Sequence, residues 1–174
     1  MPVTDVAKDI DNRTITVTSE FAAPVERVWQ IWEDPRQLER WWGPPTHPAT
    51  FTEHELRPGA RVKYHMTGPD GEVYPGYWDI TEVEKPHRLG YDDGFADAEG
   101  NPQEFAPVGS SAVELVATDS GTRMVMTATY PTPEDLQKVL DMGMEEGITQ
   151  AVNQVDGLLA ACPADEIGLP RSLA

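Results

Sequence analysis

The sequence predicts one α+β domain, in which a curved antiparallel sheet of about seven strands wraps around a long C-terminal helix. Two short helices are expected after the first strand. Three observations support this fold: apolar and polar residues alternate with a period of two in several segments, turn-forming residues separate those segments, and the C-terminal segment has apolar residues at helical spacing. Antiparallel strands bury one face, so the helix is expected to cover the concave face of the sheet.

The first strand is predicted over residues 13–21, where apolar side chains alternate with threonines. Pro24 suits the first position of a short helix, because its missing N–H has no partner there in any case. A second short helix is predicted after it, with Asp34 as the N-cap and Pro35 at the first position. Trp41 and Trp42 complete its apolar stripe, and at least one of them is expected to anchor the helix to the core.

The remaining strands are predicted between residues 49 and 130, separated by segments rich in Gly, Pro, Asp and Ser. Side chains on one face of a strand share the same parity, so each strand has one predicted inward set. The residues predicted to face inward are Val62, Tyr64 and Met66; Gly76, Trp78 and Ile80; Leu89 and Tyr91; Val113, Leu115 and Ala117; and Met124, Met126 and Ala128.

The last helix is predicted to begin at Thr132, a hydroxyl N-cap followed by Pro133, and to run without interruption to about residue 160. At 1.5 Å per residue it would be roughly 40 Å long. Gly143 and Gly147 lie one turn apart in it, although each glycine costs near 1 kcal/mol relative to alanine. Either the helix approaches another segment closely there, or it leaves space beside a pocket.

The predicted limits are a flexible N-terminal tail over residues 1–11, a folded domain over residues 12–161 and a flexible C-terminal tail over residues 162–174. The formal charge of −17 disfavours nucleic acids and anionic membranes, which bind clustered Lys and Arg. Cys162 is the sole cysteine, so no intramolecular disulfide can form. No leader or membrane span is recognised, and a cytoplasmic protein is expected.

Four segments, in this order, resemble one known family: APVERVWQIWEDPRQLERWWGP, FTEHELRPGARVKYHMTGPDG, GYWDITEVEKPHRL and GTRMVMTATY. The chain is similar over residues 13–160 to homologues of the activator of heat-shock protein 90 ATPase, within the START-like (SRPBCC, birch-pollen-allergen-like) superfamily. The resemblance implies a helix-grip fold and a START-like ligand-binding domain with a hydrophobic cavity between sheet and C-terminal helix. Members of the superfamily carry lipids, sterols or polyketides, some cyclise polyketides, and others protect against reactive natural products.

The candidate cavity combines inward strand positions with the glycine and methionine positions of the last helix. The predicted cavity residues are Tyr64, Met66, Trp78, Tyr91, Met126, Gly143, Met144 and Gly147. Aromatic side chains with polar tips could orient a ligand in an apolar cavity. The spacing of these residues along the strands fits a dry, packed core equally well. The family resemblance favours the cavity.

No catalytic residue, metal site or cofactor is predicted. The four histidines have no metal-binding spacing. Asp92-Asp93 and Glu145-Glu146 are the densest acidic pairs, and in so acidic a chain such pairs are usually a solvated face.

Three functions remain open: binding of a small hydrophobic or aromatic molecule, a cyclase or detoxification enzyme with Tyr or His as proton donor, and an acidic module for a chaperone partner. The sequence favours a binding protein over an enzyme, and leaves a homodimer or protein partner open.

Overall fold

The computed structural model describes residues 2–104 and 106–161, which form an eight-stranded antiparallel sheet and five helices. The strands are β1 (Val3–Asp9), β2 (Thr14–Phe21), β3 (Ala49–Glu53), β4 (Arg61–Thr67), β5 (Val73–Glu84), β6 (Arg88–Phe95), β7 (Gly109–Thr118) and β8 (Gly121–Thr129). The helices are α1 (Val25–Glu33), α2 (Pro35–Leu38), α3 (Pro133–Asp141), α4 (Met144–Asn153) and α5 (Val155–Ala161). The strand order is β1-β2-β8-β7-β6-β5-β4-β3, and the predicted α+β helix-grip class is confirmed.

The strand count differs from the predicted seven because β1 lies within the segment expected to be a flexible tail, residues 1–11. β1 pairs with β2 along most of its length, and the two half-buried residues Val3 and Val6 pack against the core. Its other residues are exposed, as is usual for an edge strand, so no period-two signal marks it. The predicted C-terminal tail, residues 162–174, lies outside the described residues.

The second short helix, α2, begins where its capping signal predicts, whereas α1 begins one residue later than predicted. Pro24 has an extended backbone, with ψ of 159°, and is therefore the N-cap of α1 rather than its first residue. The Asp34 carboxylate accepts a hydrogen bond from the backbone N–H of Arg36 at 2.9 Å, and Pro35 occupies the first position of α2. Trp41 follows α2 and is fully buried, with its indole Nε1 donating to the carbonyl oxygen of Ile31 at 3.0 Å. That bond ties the end of α2 to α1 and fixes the position of the adjacent Trp42.

The C-terminal helix is broken, whereas the sequence predicted one continuous helix to about residue 160. Gly143 has φ of +88°, in the left-handed region, and its N–H donates to the Leu140 carbonyl at 3.0 Å. Glycine adopts this conformation without the steric penalty of a Cβ atom, so α3 ends before it and α4 starts after it as a separate helix. The break places the end of α3 and the start of α4 beside the sheet.

The core fills the concave face of the sheet. The inward parity predicted for β4 to β8 agrees with the observed burial: those residues are buried or half-buried, except Ala117, which is exposed near the end of β7. Trp32 and Trp78 are fully buried in an aromatic cluster, and Val152 and Leu158 bring the C-terminal helices into the same core. Among the helices of the described residues, none combines the length and the apolar character that crossing a membrane requires.

Candidate ligand cavity

A cavity of about 450 Å³ lies between the concave face of the sheet and the α3–α4 junction. Ligand pockets in proteins typically measure about 300 to 1,000 Å³, so its volume suits a small molecule. Its wall is mainly apolar and is built from β2, β4, β5, β6, β7, β8 and the helical junction. Residues from these elements that line it include Ile15, Val17, Tyr64, Met66, Gly76, Tyr91, Asp93, Ser111, Met126, Met144 and Gly147.

Seven of the eight predicted cavity residues line this space: Tyr64, Met66, Tyr91, Met126, Gly143, Met144 and Gly147. The eighth, Trp78, is fully buried and is not one of the lining residues. Its ring stacks on Tyr91 at 4.5 Å between centroids and meets the edge of Trp42 at 4.8 Å. Trp78 therefore supports two lining rings from behind rather than offering its own surface to a ligand.

The helical glycines face open space. A Cβ atom added at Gly147 would meet no heavy atom within 4 Å, and the same holds at Gly143. A glycine required for close packing would instead show near neighbours. Of the two explanations that the sequence left open, the geometry at Gly147 agrees with space beside a pocket.

Tyr64 and Asp93 form the central polar pair of the cavity wall. The Tyr64 hydroxyl on β4 donates a hydrogen bond to Oδ1 of Asp93 on β6 at 3.1 Å. The Tyr64 ring lies over Gly76 of the intervening strand, where a Cβ atom would be 2.5 Å from Cζ of the ring. Phe51 stacks on the other side of that ring, with 5.1 Å between centroids. The contacts of the ring with Gly76 and Phe51, together with the hydrogen bond to Asp93, therefore fix the position of the hydroxyl.

The environment of Asp93 moves the pKa of its carboxyl toward neutral pH. It keeps some accessible surface because it borders the cavity, but protein surrounds its carboxyl elsewhere. This desolvation raises the pKa of Asp93 from 3.8 to about 7, and the hydrogen bond from Tyr64 opposes the rise. The carboxyl can therefore carry or release a proton near neutral pH.

The tyrosines around Asp93 stay protonated. Burial, with the nearby Asp93 charge as the second cause, raises the pKa of Tyr64 and of Tyr91 well above the usual 10.0. The same two causes raise the pKa of Tyr130. Their phenols can therefore act as hydrogen-bond donors toward Asp93 or toward a ligand.

Asp93 is the site residue that sequence reasoning missed. The alternation that placed Leu89 and Tyr91 inward also places Asp93 inward, two residues further along β6. It was missed because an acidic pair in so acidic a chain resembles a solvated face. Asp92 lies on the other face of β6, where its half-buried carboxylate accepts a hydrogen bond from the hydroxyl of the exposed Ser110 at 2.8 Å.

The other ionisable group in the wall, apart from tyrosines, is His47. Its Nδ1 lies 2.7 Å from the Thr46 hydroxyl and its ring lies 5.8 Å from that of Tyr74. Among the described residues that line the cavity there is no Lys or Arg. Within residues 2–104 and 106–161, no group of three or more His, Cys, Asp or Glu is arranged to hold a metal ion.

Solved structures closely resemble this one. Protein Ms6760 from Mycobacterium smegmatis is 56% identical, with a TM-score of 0.85 over 93% of this chain and 99% of its own. A protein from Arthrobacter aurescens is 45% identical, with a TM-score of 0.88 over 99% of this chain and 98% of its own. A third, from Rhodobacter sphaeroides, is 24% identical over 91% of this chain and 99% of its own, with a TM-score of 0.78, and supports the fold alone.

A comparison with curated proteins finds no match. The family model described as Activator of Hsp90 ATPase homolog 1-like protein matches residues 22–160, which is most of the chain. The sequence resemblance is thereby confirmed. This chain belongs to the Activator of Hsp90 ATPase homolog 1-like family and has its START-like fold, which in general serves as a ligand-binding domain.

Proposed function

We propose that this protein is a cytoplasmic binding protein for a small hydrophobic or aromatic molecule, held between the sheet and the C-terminal helices without metal or cofactor. The observation that carries this proposal is the cavity of about 450 Å³ at the centre of the predicted ligand residues. Protein interiors are otherwise packed as closely as organic crystals, with few voids larger than a water molecule. A space of this size in a chain of 174 residues is therefore a feature to be explained.

The chemistry of the wall indicates the kind of ligand. Most lining side chains are aliphatic, aromatic or thioether groups, including Ile15, Met66, Met126 and Met144. Methionines are unbranched and polarisable, so they adapt to ligands of different shape. The hydroxyl of Tyr64 and the carboxyl of Asp93 add a few fixed polar contacts, as is usual in pockets that orient an apolar ligand.

The test is a titration with Nile red, a neutral apolar dye whose fluorescence rises in an apolar environment. We expect saturable binding of one dye per chain. Native mass spectrometry of freshly purified protein should also show a fraction with a bound small molecule. A protein that neither binds the dye nor carries a molecule through purification would contradict the proposal.

A second candidate is an enzyme of the cyclase or detoxification type, and one observation favours it. Asp93, with its pKa raised to about 7 by desolvation, lies in the cavity beside the Tyr64 hydroxyl and could transfer a proton to a bound molecule. Chemical change of the copurified molecule on incubation with fresh protein would support the enzyme. Recovery of that molecule unchanged would support a binding protein rather than an enzyme.

A further inference from the structure

We propose that the ligand is an organic cation, an apolar or aromatic body with a protonated amine, and that Asp93 is the group that recognises its nitrogen. This inference deepens the proposed function and rests on it. It is carried by the charge of the wall, by the aromatic rings that line the same cavity, and by the lack of a basic partner for that carboxylate in the described part of the chain.

The charge of the cavity wall favours a cationic ligand. Asp93 is the acidic side chain in the cavity wall, and no Lys or Arg lines the wall among the described residues. An anionic ligand such as a fatty acid would bring a second carboxylate close to Asp93 with no positive side chain to offset it. A cation meets the opposite sign at the same place. The formal charge of −17 on the chain acts in the same direction over longer distances.

Aromatic rings in the wall also favour a cation. Trp42, Tyr91 and Tyr130 line the cavity, whereas Gly76 and Phe51 cover the two faces of the Tyr64 ring. The face of an aromatic ring is electrically negative, and it attracts ammonium groups that lie within about 6 Å of its centre. A carboxylate in a cavity lined by such rings is a suitable site for a protonated or alkylated amine.

Asp93 has no basic partner among the described residues. Its described polar contact is the hydrogen bond from Tyr64, and no described Lys, Arg or His forms an ion pair with it. Buried carboxylates are ordinarily paired or neutral. A ligand ammonium would supply the missing partner and would hold Asp93 in its charged form.

The pH response depends on the ionisable groups near Asp93. They are Tyr64 on β4, Tyr77 on β5, Tyr91 on β6 and Tyr130 after β8, together with His47 in the cavity wall. Asp92 is adjacent on β6, with its carboxylate bonded to Ser110. Tyrosines stay neutral below pH about 9, so Asp93 and His47 are the two groups that need separate variants.

The experiment uses three compounds that share one apolar body: naphthylmethylamine, naphthylmethanol and naphthoate. Each displaces Nile red from the full chain at about pH 8, where a primary amine is protonated and most of Asp93 is ionised. We expect the amine to bind at least about tenfold more tightly than the alcohol, and naphthoate to bind more weakly than both.

Asp93→Asn keeps the size of the side chain and removes its charge. In this variant the preference for the amine should be lost, so that the amine and the alcohol bind with similar affinity. Asp92→Asn is the matched control, because it removes a charge from the neighbouring residue and should keep the preference for the amine. If Asp93→Asn does not fold, the role of Asp93 is tested by measuring the binding of the amine and the alcohol to the wild type at different pH values.

In the wild type, lowering the pH from about 8 to about 5 protonates Asp93 and should bring the amine and the alcohol close to equal affinity. His47→Gln should show the same pH response. An amine that binds no better than the alcohol at about pH 8, or an amine preference that survives in Asp93→Asn or at low pH, overturns this inference. Failure of Nile red and the alcohol to bind would overturn the proposed function itself, so the two failures are distinguishable.

Discussion

Tyr64 on β4 reaches across β5 to donate a hydrogen bond to Asp93 on β6, with 3.1 Å between the phenolic oxygen and Oδ1. Gly76 lies opposite Tyr64 on β5, so no side chain separates the two partners. The polar pair therefore depends on the register of three neighbouring strands and on one glycine. Four predictions follow from this pair and from the elements that surround the cavity.

Gly76→Ala should displace the Tyr64 ring, because the new Cβ would lie 2.5 Å from Cζ. A shift of the ring would disturb its stacking on Phe51 and its hydrogen bond to Asp93, so we expect a loss of about 1 to 3 kcal/mol in the free energy of unfolding, measured by urea denaturation. In a Tyr64→Ala background the same substitution should cost little. An equal cost in both backgrounds would contradict this account of Gly76.

Asp93→Asn should stabilise the ligand-free protein at high pH. The pKa of Asp93 is raised from 3.8 to about 7 by desolvation, so the folded state holds a proton that the unfolded state releases. The stability linked to Asp93 is therefore fully present below pH about 4 and is lost as the pH rises through about 7. The loss amounts to at most about 4 kcal/mol at pH 8.

Urea denaturation of the wild type and of Asp93→Asn between about pH 4 and pH 8 measures the sign of this stability difference. The two stabilities should approach each other near pH 4, and the variant should be the more stable near pH 8. Asp92→Asn is the matched control, and we expect no comparable gain in its stability at high pH. A variant that is less stable than wild type at high pH would show that the ionised Asp93 is not penalised by its surroundings.

Gly147→Leu should fill part of the cavity, since open space surrounds the position of its Cβ. We expect Nile red affinity to fall at least about tenfold, or 1.4 kcal/mol. Stability should be kept or raised, because leucine favours a helix by nearly 1 kcal/mol over glycine.

Gly157→Leu is the control for this substitution. It makes the same change at an exposed helical position of α5, outside the cavity lining, where open space also surrounds the Cβ position. Its dye affinity should match that of the wild type. A destabilised Gly147→Leu, in a protein that never bound the dye, would indicate a packed core.

Deletion of residues 1–9 should lower the melting temperature by more than about 5 °C. β1 pairs with β2, and the Val3 N–H donates to Oδ1 of Asn153 at 3.2 Å, which links the strand to α4. The deletion also exposes β2 as a new sheet edge, so self-association is expected.

Lys8→Ala is the control for the deletion. It removes the ion pair between Lys8 and Glu145, which are about 40% exposed, and such pairs contribute less than about 1 kcal/mol. Unchanged melting after the deletion would show that residues 1–9 add nothing to the stability of the domain.

Local patterns in the sequence were sufficient for much of the fold. The caps at Asp34 and Thr132 form as predicted, because a capping side chain bonds to a backbone N–H two or three residues away. Apart from Ala117, the inward positions on β4 to β8 also agree with burial, because alternation along a strand assigns the two faces without knowledge of its neighbours.

Features that depend on pairing between distant segments of the chain could not be predicted from local patterns. β1 carries no apolar alternation, since its order comes from backbone pairing with β2 rather than from a buried face. The break at Gly143 was missed because glycine tolerates both a helical and a left-handed backbone, and the neighbouring elements select between them.

The sequence by itself determined the fold class, the capping of α2 and α3, and which face of each central strand is inward. Only the tertiary structure decided that Trp78 lies behind the wall and that Asp93 meets Tyr64 inside the cavity. The physical reason is the range of the interactions involved. Caps and strand faces depend on residues a few positions apart, whereas the polar pair and its raised pKa depend on strands that the folded sheet brings together.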